Sequence, residues 1–460
     1  MEQRLKAIED RLSQQTTYQQ ALEEERRRRE QIVLEFTQFM STLPQEAQEA
    51  YRRHFLSSQN IRALSPTDFI RSRAVCRSWF VAATNETRRN KPCTPLLLLA
   101  GDAIDENSEY RTIFSLSDDK TYRFHLPQIR DRRCVGSADS WLVTVDDVAE
   151  LHLFNPFTGA EHDLPSITTL SVIQGVERDA AGGVTGYIIH AMPRDAESWL
   201  FHDLEYMLKY FHTRAVVFAA SDDPSSITVF IVYSDYRDLA FARFGDDRWT
   251  ELNAICPYSF FTDVALHKGQ YYGVVSGAGH CVAFDISSSP PRMTFVGPPN
   301  HGGTVQRFYL VESLDGDLLQ IWRHESWVTP DGDYDGELSS GRVRETQGFT
   351  VFRLDPKGRA MVRLERLEEG TALFLGDNRS TLLKTRELPE LKENCIYFTD
   401  GESEQYISHR RMRRDVGVFN MKDGAVQPLY PRDSPTNRLA WPPPVWLTTC
   451  SSSLFLPSYR

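Results

Sequence analysis

Cysteine is scarce in this sequence: seven in 460 residues, with no C-x-x-C pair. That excludes a disulfide framework and a zinc ribbon and points to reduced thiols. Long apolar runs are also missing. The longest aliphatic stretch, Leu96 to Ala100, falls far short of the about 20 residues a membrane helix needs. The N-terminus has Glu and Gln where a secretory signal would have an apolar core, and it is too acidic for a transit peptide. These absences predict a chain of the cytoplasm and/or nucleus, in which the sequons at Asn85 and Asn378 are chance matches.

Catalytic and metal-binding grammar is equally thin. No two histidines stand at H-x-x-x-H spacing, and none lies near clustered cysteines. There is no phosphate loop and no G-x-S-x-G elbow, and Gly277-Ala278-Gly279-His280 falls between strands rather than between a strand and a helix. Asp331, Asp333, Asp335 and Gly336 match positions 1, 3, 5 and 6 of a calcium loop, but position 12 is Arg342 where a bidentate Glu is required. The sequence therefore predicts a solvated acidic loop there, no metal, no cofactor and no enzyme.

What is present begins with strands. From about residue 94 onward, β-branched and aromatic runs alternate with Gly, Asp, Asn and Pro. One unit recurs: an apolar strand with a central Phe, a polar turn, then a strand ending in Leu or Pro. Its six instances centre on Phe114, Phe154, Phe241, Phe284, Phe352 and Phe419. Repeats of about 40 to 85 residues with about four strands each predict a mainly β fold, a β-propeller of six blades with seven as the alternative. Closure should pair Pro444–Thr449 with Leu96–Leu99, because an open ring would leave a bare edge. Two stretches break the pattern. Residues 190–212 suggest an insertion, helical on the spacing of Leu200, Leu204, Met207 and Leu208, and residues 323–346 suggest a mobile loop. Such segments are where propellers carry binding determinants. The basic run His409 to Arg414 reads as an exposed loop, an import signal or a partner contact.

The front end differs. Residues 1–43 place apolar side chains at nine of thirteen heptad seam positions, a long coiled-coil-like helix that either self-associates or packs within the chain. Residues 1–95 carry 16 Lys and Arg against 12 Asp and Glu, a net of +4 that leaves −15 for the remainder. An acidic body argues against general nucleic-acid binding, and nothing points to a membrane. Residues 44–93 are expected to form a helical region and 94–460 the propeller. Within the middle segment, Ser65-Pro66-Thr67-Asp68 is a helix-start signal, followed by a stripe through Phe69 or Ile70, Ala74, Val75, Ser78 and Trp79 with Arg71, Arg73 and Arg77 outside it.

The run DFIRSRAVCRSW, Asp68 to Trp79, resembles the second half of an F-box. The first half departs from that pattern. Trp79 comes 35 residues after Pro44, and alignment on Leu64 puts Asn60 at an apolar position, so the F-box is degenerate. Farther on, FSLSDDKTYRFHLP, LHLFNPFTGAEHDLP, ALFLGDNRSTLL, NCIYFTD and WPPPVWL are similar, in order, to stations of a plant family. Its members join an F-box to a C-terminal domain of unknown function regarded as an F-box-associated, kinase-inhibitor-type β-propeller. The resemblance implies a substrate receptor of a cullin–RING ubiquitin ligase that docks on the ligase's adaptor and captures a protein target. The adaptor contacts it implies are Leu64, Asp68, Ile70, Arg71, Val75, Cys76, Arg77 and Trp79. The competing reading is a propeller interaction module uncoupled from the ligase, docking through its N-terminal helix.

Overall fold

In the computed structural model the chain splits into two units, Met1–Arg89 and Asn90–Arg460. The structure describes residues 94–447 apart from 100–108, 118, 131, 139–140, 157–158, 191–197, 220–225, 253–259, 278, 297–304, 329–342, 356–359, 400–413 and 431–442. The described residues are mainly β, in seven sheets.

The first sheet joins β1 (Leu96–Leu98), β2 (Tyr110–Ser115) and β3 (Lys120–His125) to β28 (Val445–Leu447). The second holds β4 (Arg133–Ala138), β5 (Trp141–Val145), β6 (Leu151–Phe154) and β7 (Glu161–Asp163). A three-stranded accessory sheet follows, β8 (Ile173–Arg178), β9 (Val184–His190) and β10 (Trp199–Asp203). The third sheet runs from β11 (His212–Ala219) and β12 (Ile227–Tyr233) to β13 (Asp238–Arg243) and β14 (Thr250–Glu251). The fourth contains β15 (Phe261–His267), β16 (Gln270–Val275), β17 (Cys281–Asp285) and β18 (Arg292–Val296). The fifth contains β19 (Val305–Glu312), β20 (Leu318–Val328), β21 (Val343–Leu354) and β22 (Met361–Leu364). The sixth has the order β24 (Thr381–Lys384), β23 (Thr371–Leu375), β25 (Cys395–Phe398), β26 (Gly417–Asn420), β27 (Val426–Pro428), with β23 and β25 parallel.

The second strands of the sheets are nearly continuous apolar runs because both faces are covered: β5 and β12 are buried at every residue and are interrupted only by Thr144 and Thr228. Outer strands such as β7 and β27 are short and exposed, which blunts their edges. Apolar clusters fill the gaps between successive sheets: third to fourth, fourth to fifth, fifth to sixth, and sixth to first. The largest spans the second, accessory and third sheets. All six repeat phenylalanines lie on the strand next to the outer edge of a sheet. Five are buried and Phe352 is partly so.

The expected pairing of the two ends of the body is present. Leu97 faces Trp446, flanked by Leu96 with Leu447 and Leu98 with Val445. Trp446 is buried against Phe374 at 5.1 Å, and its Nε1 donates to the Leu375 carbonyl at 3.2 Å. The sixth sheet is thereby joined to the first.

Two expectations are corrected. The insertion is a strand, β10, followed by one α-helical turn (Leu204–Tyr206) and a π turn (Met207–Phe211). Leu204, Met207 and Leu208 pack on the core as a helical face would, whereas Leu200 belongs to the strand and is exposed. The stretch from 323 is no loop at its ends: β20 continues to Val328 and β21 starts at Val343, paired in register.

Candidate interaction surface

The adaptor residues expected from the sequence, Leu64, Asp68, Ile70, Arg71, Val75, Cys76, Arg77 and Trp79, lie outside the described residues. So do the coiled-coil-like segment, Asp331–Gly336 and all of the basic run except Arg414. Within the described body, polar groups converge at the inner strands and on the accessory sheet.

The inner strands run in one direction. The Thr262 hydroxyl of β15 donates to the Phe308 carbonyl of β19 at 3.1 Å, and His267 Nδ1 lies 3.1 Å from Glu312 Oε1, so the two strands run start to start and end to end. Arg214 of β11 meets Asp263 of β15 at 2.9 Å, each the third residue of its strand. Gly136 of β4 lies against Ala215 of β11, where a Cβ would stand 2.0 Å from the Ala215 carbonyl oxygen; only glycine allows strands this close.

One turn, Gly376–Ser380 between β23 and β24, ties these strands together. Asn378 offers its carbonyl to Arg214 at 2.8 Å, and Ser380 Oγ donates to Asp263 at 3.1 Å. The Arg379 N–H reaches the Ser137 carbonyl at 2.8 Å, and Asp377 lies 3.8 Å from Arg307. A Cβ on Gly376 would meet Thr399 Oγ1 at 2.1 Å, so the turn needs glycine there. Asp377, Asn378 and Ser380 are all buried. The turn thus ties the inner strands of the second, third, fourth and fifth sheets to the sixth.

The electrostatics fit a structural role. Burial pushes the Asp263 carboxyl up against the pull of Arg214, and lowers the Arg133 guanidinium to about 10. Burial also raises the thiols of Cys134, Cys281 and Cys395, the first two to about 11 and about 12, so none is a ready nucleophile. His212 is pushed down to about 3 by burial and stays neutral. Among the described residues no cluster of three His, Cys, Asp or Glu is placed to hold a metal.

The accessory sheet presents different chemistry. Its inner face packs on the core through Tyr187 and Ile189, with the Tyr187 hydroxyl donating to the Val148 carbonyl at 2.7 Å. Its far strand leaves Trp199 39%, Leu200 52% and Phe201 55% exposed. Beside it a cavity of about 160 Å³ is lined by Leu200, His202, Tyr206, Phe211, Asp235 and Tyr236 among others. His202 stacks on Tyr206 at 4.0 Å, and the Tyr206 hydroxyl donates to Asp235 at 2.7 Å. Burial lowers the His202 imidazole, and Asp235 is the acidic residue of the cavity lining.

Strand direction places a second element at the same end. The accessory sheet enters where β11 begins, and the β20–β21 hairpin projects where β19 begins, because β20 runs back against β19. That hairpin carries Trp327, 51% exposed, under the Arg344 guanidinium at 4.8 Å. Arg323 at its base is buried and held by Asp415 at 2.9 Å and the Thr399 carbonyl at 2.7 Å. The sequence missed this hub because Arg323 and Asp415 lie far apart along the chain.

The KIB1-4 beta-propeller family profile matches residues 113–420. The F-box protein KIB3 of Arabidopsis thaliana is 32% identical over 361 residues, 74% of this chain and 69% of that protein. The F-box/kelch-repeat protein KIB1 of the same plant is 31% identical over 373 residues, 78% of this chain and 80% of its own length. The F-box protein KIB4, also from that plant, is 22% identical over 353 residues, covering 75% and 81%.

Proposed function

The chain belongs to the KIB1-4 beta-propeller family, and we propose that it is a non-enzymatic substrate-recognition subunit of a cullin–RING, SCF-type ubiquitin ligase. The observation that carries this reading is the F-box-like helix Asp68–Trp79 placed ahead of a body whose similar proteins are F-box proteins. In this reading residues 44–93 dock on the ligase adaptor and residues 94–460 hold a protein target, in the cytoplasm or nucleus. The six sheets with four or five strands are the blades of a six-bladed propeller, and the three-stranded sheet is an insertion between the second and third blades.

Adaptor binding tests the proposal. Leu64, Val75 and Trp79 supply apolar contact or hold the hairpin in shape, Asp68 caps the helix, and Arg71 and Arg77 face an acidic adaptor. Trp79→Ala removes an aromatic anchor of that contact worth about 3–5 kcal/mol and abolishes binding in calorimetry with purified adaptor. Arg71→Glu with Arg77→Glu weakens binding most at low salt. Absence of wild-type binding at tens of micromolar adaptor overturns the ligase role. The second reading, a module uncoupled from the ligase, then stands. It is favoured by Asn60 and by the 35-residue gap between Pro44 and Trp79, which depart from an F-box.

A further inference from the structure

We propose that the outer edge of β10 receives an extended segment of a partner protein as a fourth strand, with an Arg or Lys of that segment seated in the cavity beside Asp235. The inference names the target-binding surface of the receptor reading and rests on it for the ligand being a ligase target.

The first observation is a regular edge with no further described strand on it. The other six sheets have four or five strands, and this one stops at three. Its two edges differ. Strand β8 carries two register shifts and the charged, exposed Glu177 and Arg178, features that repel a further strand. Strand β10 pairs with β9 from Trp199 to Asp203 without a bulge, and has neither Lys nor Pro. Among the described residues β9 is its one strand partner. A regular, apolar, exposed edge is a template for strand addition, where backbone hydrogen bonds give affinity and alternate side chains give specificity. Five residues of β10 match a partner strand of about 17 Å.

The second observation is the cavity, and it selects the partner's charge. At about 160 Å³ it is too small for a drug-sized molecule but takes one side chain. Its aromatic rings and the Asp235 carboxylate suit a guanidinium or ammonium, whose stem packs on the rings while the head meets the acid. Asp203, whose Oδ1 accepts the Tyr206 N–H, is a second exposed carboxylate near His202, whereas Glu205 is paired with Lys209. An acidic segment is repelled there. A second copy of this chain is a poorer occupant for the same reason, since two edges carrying Asp203, on bodies of net charge −15, would face each other.

The full-length chain is immobilised and a randomised phage library of peptides about nine residues long is selected against it. The expected consensus is a β-branched or aromatic run with Arg or Lys at one position. A synthetic consensus peptide, followed by fluorescence anisotropy, should bind roughly tenfold or more weakly when that residue is changed to Glu, or when the chain carries Asp235→Asn. Asp235 lies in an exposed turn, so this variant keeps its fold. N-methylation of alternate peptide amides, and Phe201→Lys on the chain, should each abolish binding. A consensus without a basic residue, no consensus, or binding indifferent to Asp235→Asn and N-methylation overturns the proposal. So does a dimer in light scattering that Phe201→Lys dissociates, which would make the edge a contact between copies. No adaptor is present in these measurements, so their failure leaves adaptor docking standing, and loss of adaptor docking leaves them unaffected.

Discussion

Replacing Asp263 with Asn tests whether the polar cluster between the inner strands holds the body together. Asp263 is 0% exposed and accepts from Arg214 at 2.9 Å, Leu310 N–H at 2.9 Å, Val264 N–H at 2.8 Å and Ser380 Oγ at 3.1 Å. Asparagine keeps the shape but has a single acceptor oxygen, and it sets a donor amide against a donor guanidinium. Arg214, 4% exposed, would retain the Asn378 carbonyl at 2.8 Å and the Tyr309 ring at 5.4 Å. Breaking a buried pair from one side costs about 3–5 kcal/mol, several times the worth of an exposed pair. Spread over the roughly 370 residues of Asn90–Arg460, at about 2.1 cal/mol/K per residue, that lowers Tm by about 4–6 °C. Scanning calorimetry of the full-length chain reads this directly. The double variant with Arg214→Met should recover part of the loss, because no unpaired guanidinium remains. A Tm change below about 1 °C for Asp263→Asn, or a double variant worse than the sum of the singles, refutes the reasoning.

Acid should destabilise the body through His212, whose imidazole burial holds near 3 against an ordinary 6.5. Between those values the unfolded chain binds one more proton, so stability falls as pH falls, by about 1.4 kcal/mol per unit. Urea unfolding at pH 7 and pH 5 should show this slope reduced in His212→Gln, which keeps a donor for the Ala149 carbonyl; an unchanged slope removes His212 from the account. Trp446→Ala should cost about 3–5 kcal/mol by guanidinium denaturation, because it empties the joint between the first and sixth sheets. Trp327→Ala, half exposed on the long hairpin, should stay within about 0.5 kcal/mol, and equal costs for the two would contradict the closure described above.

The repeats were legible because each sheet solves the same packing problem. A large apolar side chain on the strand next to the edge covers a gap that the short outer strand leaves open. Phe114, Phe154, Phe241, Phe284, Phe352 and Phe419 therefore recur at matching strand positions although little else does. The pairing of Leu96–Leu98 with β28 was legible for a related reason: a ring of sheets must cover its own last edge. The turn Gly376–Ser380 was not legible as a tie between sheets. Its partners, Ser137, Arg214, Asp263 and Arg307, come from four sheets and from distant points of the chain, and no local pattern encodes such a meeting.

The misread insertion shows where periodicity fails. Leu200, Leu204, Met207 and Leu208 have helical spacing, but the spacing straddles a boundary. Asp203 accepts the Tyr206 N–H at 2.8 Å and caps a helical turn that begins only at Leu204. Before it, Trp199, Leu200 and Phe201 form the short apolar run of a strand. A capping residue inside an apparently continuous helical stripe was the signal that two elements meet there. The distinction bears on function. A helix would have satisfied its own backbone and buried one face. A strand in that position instead leaves a row of backbone groups unpaired by any described strand, beside a cavity with a carboxylate in it, and so makes a binding edge of what the spacing alone would have made a surface helix.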